Sequence, residues 1–97
     1  MSKKIRWLRL ALADLDELMV YIARDNPEAT TKVAGEIWET TRTLSNHPAM
    51  GKPGRVPGTR EMVVTGTSYI VPYRVVANGV QILRILHGAR KWPEKLN

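Results

Sequence analysis

The chain has 97 residues, enough for one modest core and too few for two. It contains no cysteine, which excludes a disulfide framework and a thiolate metal site and suits a reducing compartment. Its net charge of +6 is unevenly spread: residues 1–10 carry four cations and no anion, 11–47 three cations and seven anions, 48–97 eight cations and two anions. Charge sorted in this way favours a polyanionic partner on the C-terminal half, either nucleic acid or an acidic protein segment.

The opening run Ile5-Arg6-Trp7-Leu8-Arg9-Leu10 is interrupted by arginines and is too short and too charged for a signal peptide or a membrane span. A soluble, cytoplasmic protein without membrane contact is expected. The rough alternation over residues 3–9 predicts a strand that joins a sheet formed further on. From Ala11 the period becomes helical, with Ala11, Leu15, Leu18 and Ile22 on one stripe and Asp14, Asp16 and Glu17 expected to face water. This helix is predicted to end near Asp25. Asn26-Pro27-Glu28 then restarts a helix: Asn26 as the cap, Pro27 at the first position, Glu28 in the first turn. The second helix presents Ala29, Val33, Ile37 and Leu44 on one face, with Trp38 on its flank. Gly35 is expected to permit close approach of the first helix, and Asn46-His47-Pro48 to end the second.

Residues 48–58 hold three prolines and three glycines and predict a loop, whose only charges are Lys52 and Arg55. Three runs rich in Val, Ile and Tyr follow, broken at Gly66-Thr67-Ser68 and at Asn78-Gly79. Asn78-Gly79 suggests a type I′ hairpin, which would pair Val75 with Ile82 and Tyr73 with Arg84. Pro72 falls inside the middle run and predicts a bulge or an unpaired neighbour there. The reading is a single α+β domain over residues 1–97 in the order β-α-α-β-β-β. It has a small antiparallel sheet, made of an N-terminal strand and a C-terminal three-stranded meander, carrying an α-hairpin.

Glycine-rich phosphate loops, HExxH and a nucleophile-elbow serine are all missing from the sequence. No cofactor and no metal site is expected. His87 is the candidate for acid–base chemistry near neutral pH, or else a strand-end histidine holding a carbonyl. Arg60, Arg74 and Arg84 are either phosphate clamps or partners of Glu61 and the helix carboxylates. Tyr69, Tyr73 and Trp92 are base-stacking or core residues.

Several stretches in order resemble the RelE/ParE superfamily of toxins from bacterial type II toxin–antitoxin modules. They are Leu10-Ala11-Leu12-Ala13-Asp14-Leu15, Tyr21-Ile22, Asn26-Pro27-Glu28-Ala29, His47-Pro48-Ala49-Met50-Gly51, Gly58-Thr59-Arg60-Glu61-Met62-Val63-Val64, Tyr69-Ile70-Val71-Pro72-Tyr73-Arg74-Val75 and Ile82-Leu83-Arg84-Ile85-Leu86-His87-Gly88-Ala89-Arg90. The resemblance implies growth arrest and a cognate antitoxin, with an acidic segment that folds over the toxin in a hetero-oligomeric complex. It also implies a choice of mechanism. The RelE-like branch cuts mRNA on the ribosome and carries an arginine at the opening of the central strand, where this chain has Tyr69. The Tyr-x-Val-x-Tyr-Arg-Val form resembles the ParE branch, which poisons DNA gyrase. A gyrase inhibitor is therefore expected. The alternatives are a ribosome-dependent endonuclease using His87, Arg84, Arg60 and Arg90, and a plain nucleic-acid-binding module. Residues expected to meet antitoxin or target are Arg60, Arg74, Arg84, Arg90, Trp92, Lys52 and Arg55.

Overall fold

The computed structural model describes residues 2–96. The chain opens with β1 (Lys4–Trp7), turns into α1 (Arg9–Asp25), and passes through a single residue, Asn26, into α2 (Pro27–Asn46). The junction follows the sequence signal: the Asn26 side chain accepts the Ala29 N–H at 3.3 Å, Pro27 opens α2, and Glu28 lies in its first turn. The strands β2 (Lys52–Pro53), β3 (Arg60–Val63), β4 (Tyr69–Val76), β5 (Gly79–Ile82) and β6 (Leu86–His87) complete the chain. The sheet order is β1-β5-β4-β3-β2, with β6 also paired to β4.

This sheet is mixed rather than antiparallel, because β1 runs parallel to β5, with Ile5 opposite Val80 and Trp7 opposite Ile82. A parallel neighbour needs a long crossover, and the helical hairpin lies within the one between these two strands. β1 is also shorter than the alternation suggested, since α1 already begins at Arg9.

The core lies between the hairpin and one face of the sheet. Ala11 and Leu18 from α1, and Ile37 and Leu44 from α2, are buried with Val71, Tyr73, Val80 and Ile82. Gly35 does not serve a close helix approach: a Cβ there would meet nothing within 4 Å.

The second hairpin corrects the expected register. Val75 pairs with Val80 and Tyr73 with Ile82, so the two-residue loop is Ala77-Asn78. Among the described residues the only positive φ angles are at Gly58 and Gly66, so the turn is not type I′. Gly79 is instead the first residue of β5, where a side chain would collide with the Lys4 carbonyl oxygen. The glycine admits the backbone of β1, not the turn.

The β4–β5 ladder stops at Tyr73–Ile82, and pairing resumes at Ile70–Leu86, so Leu83, Arg84 and Ile85 face only Val71 and Pro72. Pro72 accounts for the break. Its carbonyl accepts the Leu83 N–H at 3.0 Å, and the amide hydrogen that would have pointed the same way does not exist.

Gly79→Ala should therefore destabilise the chain by about 1–3 kcal/mol through displacement of β1, a strain of the overpacking kind. Asn78→Ala should change stability by less than about 0.5 kcal/mol. Urea unfolding of the two variants checks both.

Candidate functional site

Cross-strand pairing places Tyr69 opposite His87 at the open end of β4. Their rings meet edge to face, with centroids 5.4 Å apart and planes at 83°. His87 Nδ1 accepts the Ala89 N–H at 3.1 Å, which fixes the ring and leaves Nε2 as the protonated nitrogen of the neutral form. The His87 carbonyl takes two more donors, Arg90 N–H at 3.2 Å and the Trp92 indole N–H at 3.1 Å. These bonds fold residues 88–92 back beside α1. The result is an open cleft of about 230 Å³ whose lining includes Tyr21 and Leu18 of α1, Tyr69, His87, Arg90 and Trp92. The Arg90 guanidinium lies 5.8 Å from the Tyr21 ring centre, within cation–π reach. Burial pushes the Tyr69 phenol above its ordinary pKa, with Arg90 pulling it the other way.

Arg84 points into the fold. Its Nε and Nη2 bind the two Asp14 oxygens at 2.6 and 2.9 Å, and Asp14 Oδ2 also accepts the Ile85 N–H at 3.0 Å. The two side chains are only 17% and 13% exposed. The hydrogen bond to Asp14, more than anything else, raises the Arg84 pKa still further. Asp14 is thus turned inward, contrary to the expectation that it faces water. The signal was present: Asp14 stands three residues after Ala11 and four before Leu18, both buried.

Arg60 is likewise engaged inside the chain, donating to the carbonyls of Gly51 at 2.7 Å and Ala49 at 3.3 Å. Beside it the Tyr73 hydroxyl donates to the Pro48 carbonyl at 2.7 Å and accepts the Gly51 N–H at 2.9 Å. Together they clasp the segment after α2 to the sheet. Arg74 grips Gln81 Oε1 with Nε and Nη2 at 3.1 and 2.8 Å. Arg55 donates its backbone N–H to Glu61 Oε2 at 2.8 Å, and its guanidinium lies 3.6 Å over the Trp92 ring. Lys52 stands exposed on β2. Of the residues singled out in the sequence, the structure gathers His87, Arg90 and Trp92 at one cleft, with Arg55 touching Trp92. Arg84 and Arg60 are tied up structurally, while Arg74 and Lys52 lie elsewhere on the sheet. Asp14, Glu17, Tyr21 and Lys91 also line the cleft and were not anticipated as part of it.

The structure thus combines a two-helix hairpin, a mixed sheet and, at the end of the central strand, an aromatic cleft lined by Asp14 and Glu17 as well as by Arg90 and Lys91. The family described as "ParE toxin of type II toxin-antitoxin system, parDE" matches residues 5–92. The provisionally named toxin Y4kP of Sinorhizobium fredii is 42% identical over 97% of this chain and 97% of its own length. A chain of the chromosomal ParDE system from P. aeruginosa superposes with a TM-score of 0.80 at 30% identity, covering 89% of this chain and 96% of that one. A chain of the RelBE2 toxin–antitoxin complex from Mycobacterium tuberculosis gives 0.63 at 28% identity, covering 90% and 99%. The chain belongs to the ParE toxin family, within the RelE/ParE superfamily. No helix among the described residues is long and apolar enough to cross a membrane.

Arg84→Leu and Asp14→Leu should each lower stability by about 3 kcal/mol, because each leaves a shielded charge or amide unpaired. The double variant should lose clearly less than the sum, as a double-mutant cycle in urea will read. A second prediction concerns alkaline pH. Burial raises the Tyr73 phenol, as it does that of Tyr69. A raised folded pKa means this stabilisation is complete below the unfolded tyrosine value of about 10 and is lost as pH climbs through the folded value. Stability should therefore be insensitive to these groups up to about pH 9 and fall above it. Tyr73→Phe should remove part of that fall, leaving the share due to Tyr69.

Proposed function

We propose that this toxin arrests growth by ParE-like inhibition of DNA gyrase and is held inactive by a cognate antitoxin. The observation that carries the gyrase reading is the state of the groups a nuclease would need. Tyr69 occupies the strand-opening position that resembles the phosphate-contacting arginine of the mRNA-cutting branch, and it packs against His87. Arg84 is committed to Asp14 and Arg60 to backbone carbonyls, so neither is presented to a scissile phosphate. Stabilising the charge that develops on a phosphate requires free, aimed donors. The sole specific support for the endonuclease reading is that His87 shares one cleft with Arg90 and Lys91, which keeps a general acid and two cations together.

The antitoxin reading draws on the solved relatives, which come from toxin–antitoxin systems. It also draws on apolar surface that the fold leaves uncovered. Tyr21 is 52% exposed, Val20 56% and Trp38 67%, all on the helical hairpin. Trp38 borders a groove with Ile5 and Trp7 at the β1 edge. A large aromatic left open beside an apolar groove is the kind of anchor that dominates protein interfaces. Arg90, exposed at the cleft, supplies a cation for an acidic antitoxin residue.

Two measurements test this. In a gyrase assay the purified toxin should block supercoiling, while translation reactions should show no new mRNA ends. Intact supercoiling together with fresh cuts in ribosome-bound mRNA, lost in His87→Ala, would reverse the choice of target. For the antitoxin, Trp38→Ala should weaken binding by about tenfold or more, some 1.4–3 kcal/mol, with little change in the toxin's own stability. Unchanged affinity in calorimetry would move the interface off the hairpin.

A further inference from the structure

The strand register sorts the basic residues of the sheet between its two faces. Tyr73, Ile82 and Trp7 are aligned across β4, β5 and β1 and belong to the side packed on the hairpin. Arg74, Gln81 and Arg6 form the next row and therefore point to the opposite side. Lys4 lies two residues from Arg6 on the same side, and Lys52, opposite Glu61, joins them from β2. All six strands together contain one carboxylate, Glu61, which is 3% exposed and bound by Arg55. Lys4, Arg6 and Lys52 are exposed, and Arg74 is half-buried with its guanidinium steadied by Gln81. The outer face of the sheet thus carries Lys4, Arg6 and Arg74 on neighbouring strands, with Lys52 beyond the buried Glu61 and Pro72 and no exposed acid among them.

We infer that this outer face binds the phosphodiester backbone of duplex DNA. The spacing suits a phosphate track: Lys4 and Arg6 are about 6.6 Å apart along β1, and Arg6 and Arg74 about 9.6 Å apart across two strand intervals. Two features distinguish this occupant from others. The paired strands place no aromatic side chain on that face, and the ring nearest to it, Trp92, is already stacked on the Arg55 guanidinium, so single-stranded bases find no open platform there. The Lys4–Arg6–Gln81–Arg74 rows also lack a large apolar anchor of the kind a protein interface is built around, unlike the Trp38 side. Contacts of this type read phosphate and not sequence. Such binding is independent of the choice of target, since none of Lys4, Arg6, Lys52 and Arg74 lines the His87 cleft.

The test is anisotropy of a labelled 30-base-pair duplex of arbitrary sequence, titrated with the folded toxin between 50 and 200 mM salt. Binding should weaken with salt, and Lys4→Gln/Arg6→Gln should flatten the log–log slope by about 1.8, corresponding to two lost phosphate contacts. The control Arg24→Gln/Lys32→Gln removes the same charge from exposed helical positions and should leave the slope unchanged. Absence of duplex binding at 50 mM salt overturns the inference, as does equal weakening by the two double variants. Polyglutamate of matched charge that displaces the duplex as well as unlabelled DNA does would assign the face to acidic protein and also overturn it. Circular dichroism melts of both variants confirm that the exposed substitutions leave the fold intact.

Discussion

The pairing of Asp14 with Arg84 is the contact on which the geometry of this molecule turns. It joins the first turns of α1 to the irregular stretch between β5 and β6, across 70 residues of sequence. One carboxylate satisfies three donors there: two from the guanidinium and the Ile85 amide released when the β4–β5 ladder stops. Pro72 creates that gap by removing a ladder donor, and Asp14 repairs it from another element. Without the repair, a backbone amide of the nearly buried Ile85 would lie unpaired beside the core, a cost comparable to losing a hydrogen bond outright. The cleft beside His87 follows from this arrangement, because α1 is held against the strand that carries it.

A second set of contacts arranges the opposite end. Arg60 and Tyr73 hold the backbone between Pro48 and Gly51, which leads from α2 into the sheet. Glu61 then organises the following loop through Arg55, and Arg55 in turn stacks on Trp92. Basic residues that look from the sequence like a phosphate clamp are spent on architecture at two of three positions. These commitments support the proposed reading of a toxin that acts by contact. Lys4, Arg6 and Lys52 on the strands and Arg90 in the tail stay exposed instead.

Much of this was legible in the residues. Helical spacing, the Asn26-Pro27-Glu28 restart and the β-rich C-terminal runs gave both helices and the order of strands, and Pro72 marked its own break. Two things were hidden. Asn78-Gly79 carries a strong local turn signal, yet the glycine is required by a backbone 75 positions earlier in sequence, which no local rule can register. The parallel placement of β1 has the same origin. A helix carboxylate was among the partners the sequence allowed for Arg84, but the engagement of Arg60 by backbone carbonyls was out of reach, because no residue pattern marks it. Asp14 was the exception: its position on the apolar stripe already argued that it faces inward.

The pairing of β1 with β5 also constrains how the molecule comes into being. Among the described residues Lys4–Trp7 has its strand partner only in Gly79–Ile82, so during synthesis β1 waits until β5 has been made, some 75 residues later. At about 5–20 residues per second, that interval lasts several seconds. The helical hairpin can form early from local contacts, but its apolar stripe has no sheet to cover it until β4 and β5 emerge. A nascent chain in this condition has neither the cleft beside His87 nor the cationic outer face, since both exist only once the last strands are in place. The pairing of β1 with β5 thus withholds the assembled sheet until β5 has been translated.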